Sequence, residues 1–438
     1  MEKSKRPVYH FTAKKGRCGD PNGLLYYKGV YHQFFQNLTN FSGPYIYNFF
    51  WGHAVSCDLV HWEELEPAVL PDEGKSAFSG GGLVDYENLS GLKEGDEDPM
   101  LLFWTEVRAE NAETVAFRMS YSQDGGKTFK VHPKKLLEIP HDEVKIWMDR
   151  DPMVFYHKET NKFILIFYAE YYAKSKMPSF VFMSSSNGLD WTYESETEGM
   201  FECPDLFTLP VEGCDERKWV LTDAPGEYMV GEFDGHKFIP CQEKTANQRN
   251  SPDYAPQTWK KGDEIIQTGM FIRPELPGEE WIQNMTLPVR LGLRKRDGVY
   301  QLTRKPINLP KELYFSAENI MTDDIKKLNL KNLDVCEVDI VTDWHQWTML
   351  WIELFQTNAN VEFIRNGIGV PGNFLKLSYC EKLELKIFCD KNCMEVFADD
   401  GFFYFATSEN MEREDFDIKT FGNRNVRIDS IKIYKIKP

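Results

Sequence analysis

The stretch Cys18-Gly19-Asp20-Pro21-Asn22-Gly23 places an acid before a proline at the start of an apolar segment, and related stretches recur twice along the chain. They are Met148-Asp149-Arg150-Asp151-Pro152 and Phe201-Glu202-Cys203-Pro204-Asp205. Each is followed by two short apolar segments around a polar turn, a pattern typical of a β-hairpin. Proline has no N–H and is tolerated at the first residue of a strand, so each acid is expected where the chain enters a sheet. If the three sheets surround one axis, the three carboxylates converge.

A second repeat indicates the size of the unit. A Ser, an Asp or Asn turn and an aromatic residue follow one another in Ser56–Trp62, Ser122–Phe129 and Ser185–Trp191, so that the serines are 66 and then 63 residues apart. This spacing accommodates four short strands with their connections. Four-stranded sheets repeated about an axis form a β-propeller. Dividing about 300 residues by roughly 65 predicts between four and five blades.

The β pattern is interrupted at Lys305-Pro306-Ile307-Asn308-Leu309-Pro310. From Leu328 onward apolar and polar residues alternate again, as in Leu383-Glu384-Leu385-Lys386-Ile387-Phe388. Such alternation puts one face of a strand on a core and the other in water. We therefore expect an all-β chain with a β-propeller catalytic domain over 1–304, a linker over 305–324 and a β-sandwich over 325–438.

Composition and charge exclude several classes of partner. The 438 residues carry a net charge of −17, from 68 acidic against 51 basic side chains, so neither nucleic acid nor an anionic membrane is an expected partner. No apolar run is long enough to cross a membrane, and Met1–Lys15 lacks the apolar core of a signal peptide, so we expect a soluble, cytoplasmic protein. The nine cysteines show no pair of CxxC motifs, so zinc is not expected. Nothing in the sequence indicates an oligomeric state.

Three acids at equivalent repeat positions suit the cleavage of a glycoside. Asp20 and Glu202 form a candidate pair, in which one carboxylate stays ionised and the other holds a proton for the leaving oxygen. Asp151 is a candidate for binding sugar hydroxyls and for keeping Glu202 protonated by like-charge repulsion. A strand-entry turn explains any one of these motifs by itself. Three of them at equivalent positions favour a shared site.

The ordered set of motifs resembles glycoside hydrolase family 32, the invertases, levanases and inulinases. Asp20-Pro21-Asn22-Gly23 resembles the family's nucleophile motif, Arg150-Asp151-Pro152 its transition-state-stabilising motif and Glu202-Cys203 its acid/base motif. Further segments that are similar to the family's are Trp51–Ser56, Phe78–Gly80, Met285–Pro288 and Glu395–Gly401. The resemblance implies a five-bladed β-propeller, with the acids in its axial pocket, followed by a C-terminal β-sandwich.

By this resemblance, Asp20 attacks the anomeric carbon of a terminal β-fructofuranosyl unit, Glu202 is the acid/base and Asp151 stabilises the transition state, with net retention. The implied enzyme is a β-fructofuranosidase-type glycoside hydrolase that acts on sucrose or short fructo-oligosaccharides and needs no metal or cofactor. The residues that match the family's fructose pocket are Gln36, Phe78, Ser79, Arg150, Cys203 and Asp253. Two other functions stay open: a fructosyltransferase that uses the same acids, and a non-catalytic fructoside-binding protein.

Three departures from the family pattern predict a remodelled pocket. Gly19 stands where relatives usually have Asn before the nucleophile, and Met270 stands where they tend to have Trp. Before Trp51, a longer loop offers Tyr45 and Tyr47 where relatives often have Trp. We expect these changes to affect which fructoside is bound more than the type of reaction.

Overall fold

The computed structural model describes most of the chain, and every structural statement below refers to the described part. The described residues are 5–39, 47–139, 149–246, 253–272, 278–320, 328–330, 335–343, 350–354, 360–364, 367–370, 373–376, 382–391, 393–407, 418–422 and 428–437. Within them the structure is β throughout, apart from short 3-10 helices at Lys311–Leu313 and Asp399–Gly401. No helix of the described part is long and apolar enough to span a membrane.

The first part of the chain forms five antiparallel sheets of four or five strands. A short strand, β1 (Gly16–Arg17), precedes them. The first sheet contains β2 (Pro21–Tyr27), β3 (Val30–Asn37), β4 (Phe50–Ser56) and β5 (Glu63–Val69). The second contains β6 (Lys75–Val84), β7 (Met100–Arg108), β8 (Thr114–Ser122), β9 (Lys130–Val131) and β10 (Leu137–Glu138). The third contains β11 (Arg150–His157), β12 (Lys162–Ala169), β13 (Ser179–Ser185) and β14 (Thr192–Glu198).

The fourth sheet contains β15 (Asp205–Pro210), β16 (Arg217–Thr222), β17 (Glu227–Phe233), β18 (Phe238–Pro240) and β19 (Thr245–Ala246). The strands from β20 to β25 are β20 (Asp253–Lys261), β21 (Glu264–Phe271), β22 (Trp281–Ile282), β23 (Asn284–Met285), β24 (Val289–Arg296) and β25 (Val299–Pro306). All of these except β22 form the fifth sheet, whereas β22 pairs in parallel with β1.

The five sheets surround one axis as the blades of a propeller. Their first strands, β2, β6, β11, β15 and β20, line a single cavity of about 320 Å³. Aromatic rings pack between neighbouring blades, for example Phe117 against Phe167 at 5.0 Å between centroids. The ring is closed between the fifth and first blades, where the Trp259 indole N–H donates to the His32 carbonyl at 2.8 Å. The five-bladed propeller implied by the resemblance is therefore confirmed.

The second part of the chain is a sandwich of two six-stranded sheets. Its strands are β26 (Tyr314–Ile320), β27 (Leu328–Leu330), β28 (Val335–Asp343), β29 (Leu350–Leu354), β30 (Asn360–Ile364), β31 (Gly367–Val370), β32 (Asn373–Lys376), β33 (Lys382–Asp390), β34 (Cys393–Ala398), β35 (Phe403–Thr407), β36 (Ile418–Gly422) and β37 (Ile428–Ile436). One sheet has the order β26-β37-β28-β33-β34-β35 and the other β27-β36-β29-β30-β31-β32. The expected β-sandwich is therefore confirmed.

The connection between the two domains differs from the linker expected over 305–324. Strand β25 continues to Pro306, and β26 pairs along its length with β37 of the sandwich. The chain between these two sheets is thus 307–313. Strand β26 is hard to recognise from the sequence because its apolar residues do not all face a core. The strand forms the edge of its sheet, and 58% of the surface of Phe315 is exposed.

The two domains are joined by a buried cluster of charged groups at the start of the chain. Asp390 accepts the backbone N–H of Tyr9 and of His10 at 2.9 and 3.0 Å. The His10 ring bridges Asp390 and Glu395 through Nδ1 and Nε2, at 2.8 and 3.1 Å. Glu395 also accepts the N–H of Leu287 from the propeller at 2.8 Å. The sandwich therefore holds both the first residues of the chain and the last blade.

Candidate active site

The three predicted acids meet at the starting ends of the strands that line the axis. Asp20 directly precedes β2, Asp151 is the second residue of β11, and Glu202 lies in the turn before β15. Cys203 lies between the two aspartates, with its Sγ 4.0 Å from Asp20 Oδ2 and 3.6 Å from Asp151 Oδ2. Its backbone N–H also donates to Asp151 Oδ2 at 3.0 Å. The structure therefore brings the repeated acids into one site.

The sequence after Asp20 explains how its carboxylate is oriented. Asn22 is fully buried and ties this turn to the next blade, because its Nδ2 donates to the Asp20 carbonyl and its Oδ1 accepts the Gly80 N–H at 3.1 Å. Gly23 has φ +52°, and a Cβ there would lie 2.9 Å from Leu102, so only glycine fits. The Ser79 hydroxyl then donates to Asp20 Oδ2 at 2.7 Å.

Several groups act on the charge of Asp20. Burial raises its pKa above the ordinary value, and the Ser79 hydrogen bond opposes this effect. The nearby Arg17 guanidinium also lowers the pKa, whereas the Glu202 carboxylate raises it. The pKa of Asp20 is thus set by opposing effects of burial, hydrogen bonding and neighbouring charges.

Asp151 is held in a different way. It has φ +62°, a left-handed conformation that costs a non-glycine residue about 1–3 kcal/mol. The turn is fixed by Thr105, whose Oγ1 accepts the Asp151 N–H at 3.0 Å and donates to the Ser79 carbonyl at 3.1 Å. Burial raises the pKa of Asp151 to about 7. Arg150 and the Cys203 N–H oppose that rise, whereas the charges of Glu202 and Asp20 add to it.

The backbone around Glu202 is also left-handed, with φ +52° at Glu202 and +41° at Cys203. The loop after β16 holds this turn in place. Asp223 accepts the Phe201 N–H at 3.3 Å, and the Ala224 N–H donates to the carbonyls of Phe201 and Glu202 at 3.0 and 3.1 Å. The strained turn is therefore secured from the neighbouring hairpin.

The side chain of Glu202 receives donors on both oxygens. Arg150 donates to Oε1 from Nε and Nη2, at 3.1 and 2.7 Å, and Tyr254 donates to Oε2. The guanidinium of Arg150 lies 4.5 Å from the ring centroid of Tyr168 and 5.8 Å from that of Phe201. Such donors stabilise the ionised carboxylate.

The remaining predicted residues lie at different distances from the acids. Gln36, on β3, is bonded to this turn through its backbone. Its carbonyl accepts the Gly19 N–H, and its N–H donates to the Asp20 carbonyl at 3.0 Å. Phe78 is buried against Phe49, with 5.7 Å between ring centroids, in a small apolar cluster. Phe78 therefore supports the site from behind Ser79.

Asp253 is the predicted residue that the structure places elsewhere. It lines a small cavity with Arg304 and Tyr404, towards the sandwich. Its neighbour Tyr254 contacts Glu202 instead. Adjacent residues of a strand point to opposite faces, so the two side chains cannot share the axial pocket. Strand alternation from Asp253 is the signal that could have found Tyr254.

The positions that depart from the family pattern surround the same acids. A Cβ on Gly19 would lie 3.1 Å from Gln36 Cβ and 3.2 Å from its carbonyl oxygen, so any side chain there would press on Gln36. Met270 is buried and pairs across the sheet with Tyr254. Tyr47 packs at 6.3 Å from Phe78, and Tyr45 lies outside the described residues. Gly19 and Met270 therefore lie next to Asp20 and next to the partner of Glu202, respectively.

Comparisons with known proteins agree with the fold. Residues 10–306 match the model of the glycosyl hydrolases family 32 N-terminal domain. The chain is 36% identical over 255 residues to a levanase of Bacillus subtilis, covering 53% of this chain and 35% of that protein. It is 36% identical over 265 residues to an invertase of Schizosaccharomyces pombe, covering 55% of this chain and 43% of that protein. The chain thus spans less than half the length of these two relatives.

A solved structure extends the likeness to the second domain. The exo-inulinase of Aspergillus awamori superposes with a TM-score of 0.83 at 24% identity, covering 100% of this chain and 99% of that one. At this identity the superposition shows a shared fold. Since the family model matches well over half of the sequence, the chain belongs to glycoside hydrolase family 32.

Proposed function

We propose that this chain is a retaining glycoside hydrolase that releases terminal β-fructofuranosyl units from sucrose or short fructo-oligosaccharides. The observation that carries the proposal is the joint placement of Asp20, Asp151 and Glu202 around Cys203 and Arg150. Retaining cleavage requires a nucleophile and an acid/base that flank the scissile bond. The relatives named levanase and invertase support the choice of a fructoside.

In the first step, Asp20 attacks the anomeric carbon while the bond to the leaving oxygen breaks. Ser79 and Cys203 both lie on the Oδ2 side of Asp20, so we assign Oδ1 to the attack. The leaving oxygen takes a proton from Glu202, and a covalent fructosyl-enzyme intermediate forms. In the second step, water attacks the same carbon and gives its proton to Glu202, which frees Asp20.

The donors around Glu202 favour the state that follows proton transfer. Protonated Glu202 is the acid, and the carboxylate that remains is the form that Arg150 and Tyr254 stabilise. This arrangement lowers the energy of the products of the first step. It also holds Glu202 as the base that the second step needs.

Asp151 is suited to respond to charge at the sugar. Burial raises the pKa of Asp151 to about 7, so the protein by itself opposes its ionisation. A positive charge developing on the fructosyl ring favours the ionised carboxylate, so the attraction grows towards the transition state. Its second role is to accept hydrogen bonds from sugar hydroxyls.

Product analysis tests the proposal. The protein is incubated with sucrose and with inulin-type and levan-type oligomers, and released fructose is measured. With methanol added to the buffer, a retaining enzyme forms methyl β-fructofuranoside, whereas the α anomer contradicts retention. Products longer than the substrate at high sucrose identify a fructosyltransferase, and binding without turnover identifies a binding protein. The cytoplasmic location expected from the sequence stays a prediction.

A further inference from the structure

The cavity on the propeller axis lies at the opposite end of the inner strands from the three acids. Its walls include residues 24–26 of β2, 153–156 of β11 and 206–208 of β15, whereas the acids stand at the starts of these strands. Leu24 follows Asp20 by four residues, which is about 13 Å along an extended strand. We call this space the distal cavity. It is a pocket of its own on the axis.

Contacts between the blades separate the distal cavity from the acids. The buried Gln257 reaches from the fifth blade to the second, where its Nε2 donates to the Gly80 carbonyl at 2.8 Å. Gly80 follows Ser79, which belongs to the acid site. Next along β6, a Cβ on Gly82 would lie only 3.1 Å from the Gly23 Cα, so the first two blades meet there. A molecule in the distal cavity and a substrate at the acids would therefore occupy different spaces.

The inner strands supply the distal cavity with backbone hydrogen-bonding groups. Each of β2, β6, β11, β15 and β20 is the terminal strand of its sheet and pairs along one edge only. The other edge of such a strand carries outward-pointing N–H and C=O groups, and here that edge faces the axis. One of these groups, the Leu206 carbonyl, accepts the Lys260 ammonium at 3.0 Å. Donors and acceptors of this kind match the hydroxyl groups of a polar ligand.

The charge at the distal cavity is balanced. Lys260 is the one charged side chain among the described residues that line it, and its Nζ lies 3.5 Å from Asp205 Oδ1. Asp205 is fully buried, and its Oδ2 accepts the hydroxyl of Thr258, another lining residue, at 2.6 Å. Because the ammonium already has its counter-charge, burial of an ionic ligand would leave a charge without a partner. The distal cavity therefore favours an uncharged ligand.

Aromatic side chains from four blades surround the open end of the distal cavity. They are Tyr26, Tyr86, Tyr156 and Trp219, and each is at least partly exposed, Tyr86 over 59% of its surface. Trp219 packs against Phe155 with 5.8 Å between ring centroids, which fixes its position. The face of an aromatic ring is electron-rich and attracts the polarised C–H groups of a sugar. Rings beside hydroxyl-binding groups are thus suited to a carbohydrate.

We propose that the distal cavity binds a neutral hexose at a site separate from the acids. The aromatic rings cover the C–H faces of the sugar, and the strand edges bind its hydroxyls. The volume of about 320 Å³ is at the lower end of the range for small-molecule pockets, which suits one sugar ring better than a chain of them. The inference goes beyond the proposed function and does not depend on it, because its residues take no part in the proposed reaction.

Fluorine NMR on protein labelled with 5-fluorotryptophan tests the proposal. The Trp219 resonance is identified as the one missing from Trp219→Phe. Glucose and fructose are titrated separately, and we expect at least one of them to shift this resonance saturably, with a Kd on the order of 1 mM for a single sugar ring.

Tyr86→Ala should raise this Kd by about threefold or more, because it removes one of the rings. The matched control is Phe315→Ala, an aromatic residue of similar exposure on the edge of the sandwich, which should leave the Kd unchanged. The remaining tryptophan resonances show that both variants are folded.

Three results overturn the proposal. The first is a Trp219 resonance that neither sugar shifts. The second is a shift whose Kd is the same in Tyr86→Ala, since the sugar would then bind elsewhere. The third is tighter binding of cyclohexanol than of either hexose, which would make the distal cavity a site for apolar molecules. Loss of fructoside cleavage in Asp20→Asn bears only on the proposed function, so the two ideas fail separately.

Discussion

Asp20 and Asp151 stand in the same motif, an aspartate before a proline at the start of an axial strand, yet their surroundings differ. In the first blade Gly23 takes the left-handed conformation, and the Asp20 side chain reaches the Ser79 hydroxyl. In the third blade Asp151 itself is left-handed, and its carboxylate accepts a backbone N–H from Cys203. The motif places a carboxylate on the axis. In the proposed reaction, the neighbouring groups decide which aspartate attacks and which stabilises charge.

The largest expected effect separates the two aspartates chemically. Asp20→Ala should lower kcat by about 10⁴-fold or more, because it removes the group that forms the covalent bond. Asp151→Ala should lower kcat by about 10²–10³-fold through loss of charge stabilisation. Azide, which can replace a missing nucleophile, should restore turnover only in Asp20→Ala and yield fructosyl azide. Rescue of Asp151→Ala instead would reverse the two assignments.

The next effect concerns the backbone of Asp151. Thr105→Val keeps the volume of a fully buried side chain but leaves the Asp151 N–H without its acceptor. We expect a loss of about 1–3 kcal/mol in the free energy of unfolding, measured by urea denaturation. Thr303→Val is the matched control, since the buried Thr303 Oγ1 has no hydrogen-bond partner among the described residues. Equal losses in both variants would mean that the Thr105 bond does not secure Asp151.

A smaller effect is expected on the side of Asp20. Ser79→Ala removes the hydrogen bond to Asp20 Oδ2. We expect kcat to fall by about tenfold, the value of one hydrogen bond to a charged group, with little change in stability. Ser184→Ala, which removes a bond to Glu194 away from the axis, should leave kcat unchanged. If Ser79→Ala is fully active, the hydroxyl does not position the nucleophile.

The smallest effect is the pH dependence of stability. The pKa of Asp151 is raised to about 7 by folding, so between about pH 4 and pH 7 the folded state binds more protons than the unfolded state. This contribution is therefore fully present at low pH and is lost as the pH rises towards 7. Asp151→Asn should flatten the fall in Tm from pH 5 to pH 8 more than Asp20→Asn does. The same slope in both variants would remove the electrostatic difference between the two sites.

Much of the site could be predicted because its residues belong to repeated local motifs. The acids precede prolines, and their convergence follows from blades around one axis. Tyr254 could not be predicted in the same way, because its approach to Glu202 depends on the face to which it points and on a bulge between Tyr254 and Gln257. Asp223 and Thr105 act from neighbouring hairpins, and no local pattern indicates which hairpin packs there. The blade number came from the resemblance, since the repeat length alone allowed four or five.

The cluster of His10 with Asp390 and Glu395 has a consequence for how the protein is made. The first residues of the chain bind a carboxylate that is synthesised about 380 residues later. During translation, His10 therefore has no Asp390 to bind until most of the sandwich has left the ribosome. Contacts of such long sequence separation form late in folding. The contacts between the propeller and the first residues of the chain are thus completed only when the sandwich has folded.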